Sequence, residues 1–171
     1  MAHLNVEIKA CSQNHEKIRE ILKSHGADSK GVDHQIDTYF KVNSGRLKLR
    51  EGNIENYLIF YNRENYAEPK ESEVTLFKTD PDSPLKEILS KSLGILVAVD
   101  KMREIYSINN VKFHLDNVAK LGTFLEIEAI DKNSSIGKKE LHAQCQNYMD
   151  LFEIQKGDLI SNSYSDMIME N

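Results

Sequence analysis

Glu126 and Glu128 stand two residues apart in Thr123-Phe124-Leu125-Glu126-Ile127-Glu128, where a strand places both carboxylates on one face, about 7 Å apart. Carboxylates that close repel one another and are relieved by a shared hard cation, Mg²⁺ or Mn²⁺ suiting them best. Glu7 and Asp116, each in another alternating segment, are candidates to complete that shell. Cations recur at the same spacing: Arg46, Lys48 and Arg50 alternate with Leu47 and Leu49, and Lys101 and Arg103 flank Met102. Lys9, Arg63 and Lys112 lie on further segments of this kind. Guanidinium and ammonium groups each donate to several phosphate oxygens, so the two sets together suit a polyphosphate carrying a divalent ion.

The elements that must position these groups are strands with one apolar face. Leu4, Val6, Ile8 and Ala10 alternate with Asn5, Glu7 and Lys9, which predicts a strand over 3–10. Similar patterns at 36–42, 46–51, 56–63, 72–78, 98–108, 111–116 and 123–130 bring the strands to eight. Asn43-Ser44-Gly45 and Asn109-Asn110 are hairpin signals and favour antiparallel pairing. Helices are predicted from His15 to Ser24, capped by Asn14 and stopped by Gly26, and from Pro84 to Leu93, with Ser83 as cap and Gly94 as stop. Two more are predicted over roughly 135–152 and 163–169, while 64–71 and 79–82 read as loops.

A half-exposed sheet explains the charge on any single strand. Three faces bearing Lys or Arg together with a Glu-x-Glu face, all in one short domain, are better explained by closure. If the apolar faces turn outward under the helices, the charges share one interior and call for a ligand. The expected fold is α+β, an eight-stranded antiparallel β-barrel with helices packed on the outside, and residues 1–171 form a single domain.

Composition narrows the partners. A formal charge of −5 over 171 residues argues against broad attraction to nucleic acid or to an anionic membrane. No stretch has the apolar length of a signal peptide or a membrane span, so the expected location is the cytoplasm. Cys11 and Cys145 stand far apart without metal-site spacing and are expected to be reduced core thiols.

Taken in order, these segments resemble the CYTH superfamily, the triphosphate tunnel metalloenzymes, and most of all the bacterial proteins similar to class IV adenylyl cyclase. The likeness rests on Asn5-Val6-Glu7-Ile8-Lys9, Gln35-Ile36-Asp37-Thr38-Tyr39-Phe40, Leu47-Lys48-Leu49-Arg50 and Leu58-Ile59-Phe60-Tyr61-Asn62-Arg63. It continues through Lys101-Met102-Arg103, His114-Leu115-Asp116 and Gly122 to Glu128. The resemblance implies phosphate binding by Lys9, Lys48, Arg50, Arg63, Lys101, Arg103 and Lys112, with Lys9, Arg50 and Arg103 acting on the reacting group. It implies a metal, Mg²⁺ or Mn²⁺, on Glu7, Glu126, Glu128 and Asp116. Asn5 departs from the family pattern, which has a glutamate there, and that bears on whether one metal or two are held. The implied partner is a triphosphate, ATP foremost, and a homodimer is implied by analogy. The implied reaction is conversion of ATP to cyclic AMP and pyrophosphate. The alternatives are hydrolysis of thiamine triphosphate, inorganic triphosphate or a nucleotide, and capture of a polyphosphate without turnover.

Overall fold

In a computed structural model that describes residues 2–171, eight strands form one closed antiparallel barrel. They are β1 (Ala2–Cys11), β2 (Asp28–Phe40), β3 (Arg46–Gly52), β4 (Asn56–Arg63), β5 (Lys70–Lys78), β6 (Ile95–Ile108), β7 (Val111–Val118) and β8 (Gly122–Asp131). Around the barrel the order is β1-β5-β4-β3-β2-β6-β7-β8, and β8 returns to pair with β1. In that closing ladder Glu7 lies opposite Glu128 and Lys9 opposite Glu126.

The apolar faces of β1, β7 and β8 point outward and are covered by helices, while Tyr39, Ile59, Tyr61, Val74, Val99 and Phe124 form a second cluster around Tyr164 inside the barrel. Helix α1 (His15–Ser24) contributes Ile18 and Leu22, and helix α3 (Lys138–Leu151) contributes Leu141, Cys145 and Met149. These pack on Val6 and Ile8 of β1, Phe113 and Leu115 of β7, and Leu125 and Ile127 of β8. Phe113 meets Tyr148 and Phe152 edge-on, with ring centroids 4.7 and 5.7 Å apart. Fully burying side chains of this size contributes about 1.5–3 kcal/mol each, so this face anchors the strands that carry Glu7, Glu126 and Glu128. On the far side, helix α2 (Leu85–Leu93) buries no side chain, and Phe77 of β5 stays exposed.

Several expectations are adjusted. Asn14 caps α1 as the pattern indicates, its side chain accepting from the Lys17 amide, whereas Pro84 occupies the cap position of α2 and Ser83 stands outside it. β2 begins at Asp28 rather than at 36, because its polar first half is held by ladder bonds to β6 instead of by apolar burial. β5 begins at Lys70, inside a stretch that reads as loop. Of the two cysteines, both free, Cys145 is buried but Cys11 is exposed.

Beyond α3 the chain turns back on the barrel. Residues 160–166 run across one mouth, and helix α4 (Tyr164–Glu170) begins there, capped by Ser163. The Ile160 amide donates to the Lys9 carbonyl, Lys70 to the Ser161 carbonyl at 2.8 Å, and Arg46 to Ser163 at 2.7 Å and to Asp166 at 2.9 Å. One end of the barrel is thereby sealed. No described helix is long and apolar enough to cross a membrane.

Candidate active site in the barrel interior

Because strand side chains alternate, one face of each strand turns into the barrel, charged for the most part on β1, β3, β6 and β7 and apolar along β5, around a cavity of about 240 Å³. Lys9, Lys48, Arg50, Arg63, Lys101, Arg103 and Lys112 all line it, as do Glu7, Glu126 and Glu128. Asp116, grouped with the metal ligands on sequence grounds, shares the inward face of β7 with Lys112 and His114 but is fully buried and does not line the cavity. Arg103 donates to both of its oxygens at 2.7 Å, and the Tyr164 hydroxyl donates to Oδ2 at 2.7 Å. That carboxylate is occupied with orienting Arg103.

Arg103 Nη2 also reaches Glu126 at 3.0 Å, and the Lys9 ammonium lies 3.8 Å from the other Glu126 oxygen. Burial raises the carboxyl of Glu126, but Arg103, His114 and Lys9 more than offset it and hold the group ionised. The same burial pushes Lys9 and Lys101 down to about 7 and Lys70 to about 8, so these ammonium groups are poised to gain from an anion. His114 Nδ1 lies 3.4 Å from Glu126, while burial and Arg103 hold its ring down to about 4. At neutral pH the imidazole is neutral, a structural neighbour of Glu126 rather than a proton donor.

A second cluster gathers around Asp37. Arg50 donates from Nε and Nη2 to its two oxygens, each at 2.9 Å, and Lys101 and Lys48 approach Oδ2 at 2.8 and 3.1 Å. Glu55, in the β3–β4 turn, accepts from Lys112 at 3.2 Å and from Arg50 at 3.4 Å. Sequence reasoning missed Asp37, Glu55, Lys70 and Tyr164. Asp37 was visible as the acid two residues before Tyr39 on the same strand face, whereas Lys70 lay in an apparent loop and the remaining two act from a turn and from the sealing segment.

The carboxylate corner fits a divalent ion. Glu128 faces Glu7 across the β1–β8 ladder and has Glu126 two residues along. Burial first, then Glu7, pushes its carboxyl up to about 7, the signature of negative charge short of a partner. Arg63 pairs with Glu7, and the Asn5 amide donates to Glu128, leaving the buried Asn5 Oδ1 without a partner. Among the described residues, no three His, Cys, Asp or Glu side chains form a ready metal cage. Mg²⁺ is commonly held by one or two carboxylates plus the substrate's phosphates, so a corner of this kind suits an ion that arrives with its triphosphate.

The family model described as CYTH domain matches residues 3–164. The chain belongs to the CYTH domain family. Among solved structures, the PH1012 protein of Pyrococcus horikoshii is similar at 25% identity with a TM-score of 0.78, covering 95% of this chain and 98% of that one. A Vibrio parahaemolyticus protein named a "putative adenylate cyclase" is similar at 18% identity and TM-score 0.75, over 99% of both chains. HpAC1 of Hippeastrum, described as having a dominant triphosphatase activity, is similar at 13% identity and TM-score 0.61, over 98% of this chain and 94% of that one. The last two likenesses concern the fold alone. A search of the curated proteins finds no match. The CYTH tunnel here is thus a basic, one-ended pocket with an acidic corner.

Proposed function

We propose that this CYTH protein is a metal-dependent enzyme that binds a nucleoside triphosphate in its barrel and acts on it, conversion of ATP to cyclic AMP and pyrophosphate being the leading reaction. The observation that carries the reading is the division of the cavity wall. Lys9, Arg63, Lys101 and Arg103 gather toward the sealed end, while Tyr57, Ile59, Val74, Leu76 and Ile130 line the wall on β4, β5 and β8. The cationic part suits the phosphates, and the apolar strip suits ribose and base.

In this reading the terminal phosphate lies deep and the nucleoside lies toward the open mouth. Arg103, fixed by Asp116, presents its guanidinium in one orientation, and Lys9 and Lys101 gain a counter-charge as the phosphates enter. Pre-set donors of this kind stabilise charge that develops on the departing pyrophosphate without reorganising at the moment of reaction. Glu7, Glu126 and Glu128 would hold a divalent ion, which supplies neutralisation of phosphate charge. The barrel wall holds the ribose 3′-hydroxyl near the α-phosphorus and keeps water away from the buried cations.

A second reading, hydrolysis of a triphosphate, is favoured by Lys30 and Lys132. Both are exposed, and both line the cavity together with His3 and Lys112. That cationic rim suits an anionic substrate along its whole length. Incubation of the purified protein with ATP, inorganic triphosphate and thiamine triphosphate, each with Mg²⁺ or Mn²⁺, followed by product separation, tests both. Cyclic AMP with pyrophosphate supports the first, orthophosphate replaces it with the second, and no product from any substrate overturns the enzyme reading.

A further inference from the structure

Asp37 is 1% exposed, on the inward face of β2 but covered, whereas the three cations that contact it, Lys48, Arg50 and Lys101, line the cavity. Its Oδ2 atom is approached by three donors at once, Arg50 Nη2 at 2.9 Å, Lys101 at 2.8 Å and Lys48 at 3.1 Å. A carboxylate oxygen offers about two lone-pair sites, which Arg50 and Lys101 fill, so Lys48 holds to it as an ion pair while donating to the Tyr39 hydroxyl, and both ammonium groups keep N–H bonds to spare. Arg50 is secured differently, by a two-pronged bond to both oxygens.

We propose that Asp37 is the built-in counter-charge of the phosphate cradle, a positioning residue that holds Lys48, Arg50 and Lys101 assembled before substrate arrives and then shares the two lysines with the phosphate oxygens of the substrate. The inference rests on reading the tunnel as a triphosphate site. Without Asp37, cations from β3 and β6, the two strands that flank β2, would face one another in a buried space, an arrangement that loses charge or folds poorly. Lys101 shows the balance. It faces Asp37 from β2, Lys48 and Arg50 from β3, Arg103 on its own strand, Asp116 from β7 and the Tyr164 ring from α4. Burial and the three cations push its ammonium down, and Asp37 is the chief group opposing them. An arriving triphosphate supplies the same kind of charge from the cavity side. The cradle is therefore balanced by Asp37 before substrate enters and by Asp37 and the triphosphate afterwards.

Calorimetric titration of the full chain with inorganic triphosphate, from about pH 6 to about pH 9, tests this alongside thermal melting. Wild-type protein that fails to bind overturns the tunnel reading itself. Given wild-type binding, Asp37→Asn is expected to melt lower than wild type, with saturating triphosphate closing most of the gap. Its affinity should begin to fall at a lower pH than that of wild type, by up to about tenfold per pH unit through the lysine titration. A melting gap of equal size with and without triphosphate marks Asp37 as packing only and overturns the proposal. Superimposable affinity-against-pH curves do the same. Should Asp37→Asn not fold, the charge-balanced D37N/K101M double variant is expected to recover a folded protein, and its failure to do so counts against the counter-charge role.

Discussion

Arg103 and Asp116 face each other across the β6–β7 ladder as a two-pronged pair in which both nitrogen–oxygen distances are 2.7 Å. Neither side chain is more than 3% exposed. The pair sits at the centre of the tunnel's charge network, since Arg103 continues to Glu126 and Asp116 accepts from Tyr164.

Asp116→Asn keeps the shape but leaves a buried guanidinium short of its counter-charge, and removing one partner of such a pair costs about 3–5 kcal/mol. Urea unfolding should report that loss. A double variant with apolar residues at both positions should recover much of it, because the desolvation of both charges is then avoided.

Glu126→Gln removes negative charge from the carboxylate corner while nearly preserving volume. Turnover should drop by about two orders of magnitude or more, with far-ultraviolet circular dichroism unchanged. Activity within a few-fold of wild type, at saturating Mg²⁺ and Mn²⁺, would remove Glu126 from the proposed metal site.

Glu55 makes a pH prediction. Burial alone would raise its carboxyl, but Lys112 and then Arg50 bring it down to about 2 from an unfolded value of 4.5. A folded pKa below the unfolded one stabilises at pH above the unfolded value and is lost as the pH falls from 4.5 toward about 2. Glu55→Gln should flatten the acid limb of stability in that window and lower stability at neutral pH by something on the order of 3 kcal/mol.

Arg46 ties the sealing segment to β3 through Asp166 and Ser163. Arg46→Ala removes hydrogen bonds to a charged partner, an effect of about 1–3 kcal/mol. Hydrogen exchange should accelerate in residues 160–170 before it does in the barrel strands, and exchange that speeds up uniformly would mean that the mouth is held by other contacts.

Much of this architecture is legible along the chain because period-two alternation is a strong signal where one face is apolar. Val6 and Ile8 set against Glu7 and Lys9 mark β1 and its inward face together. The signal fades where both faces are polar, as in Asp28 to Gln35, whose strand character comes from partners on β6 that a local pattern does not contain. The site divides in the same way. Its cations and its Glu-x-Glu are visible as types at a spacing, but the service of Asp116 to Arg103 depends on cross-strand register. The role of Ser161 and Asn162 is invisible for a different reason, since both accept from lysines through backbone carbonyls and no side-chain type announces that.

The sealing segment bears on how the protein is made. Residues 160–166 emerge from the ribosome only after all eight strands have been synthesised, so the barrel can close its β8–β1 seam while that end is still open. A chain interrupted between Ile154 and Ile160 would have every strand and α3 yet remain an open pipe, with Lys9 and Lys70 bared at its rim. Such a fragment would be stickier toward cellular polyanions than the finished protein, whose net charge is negative.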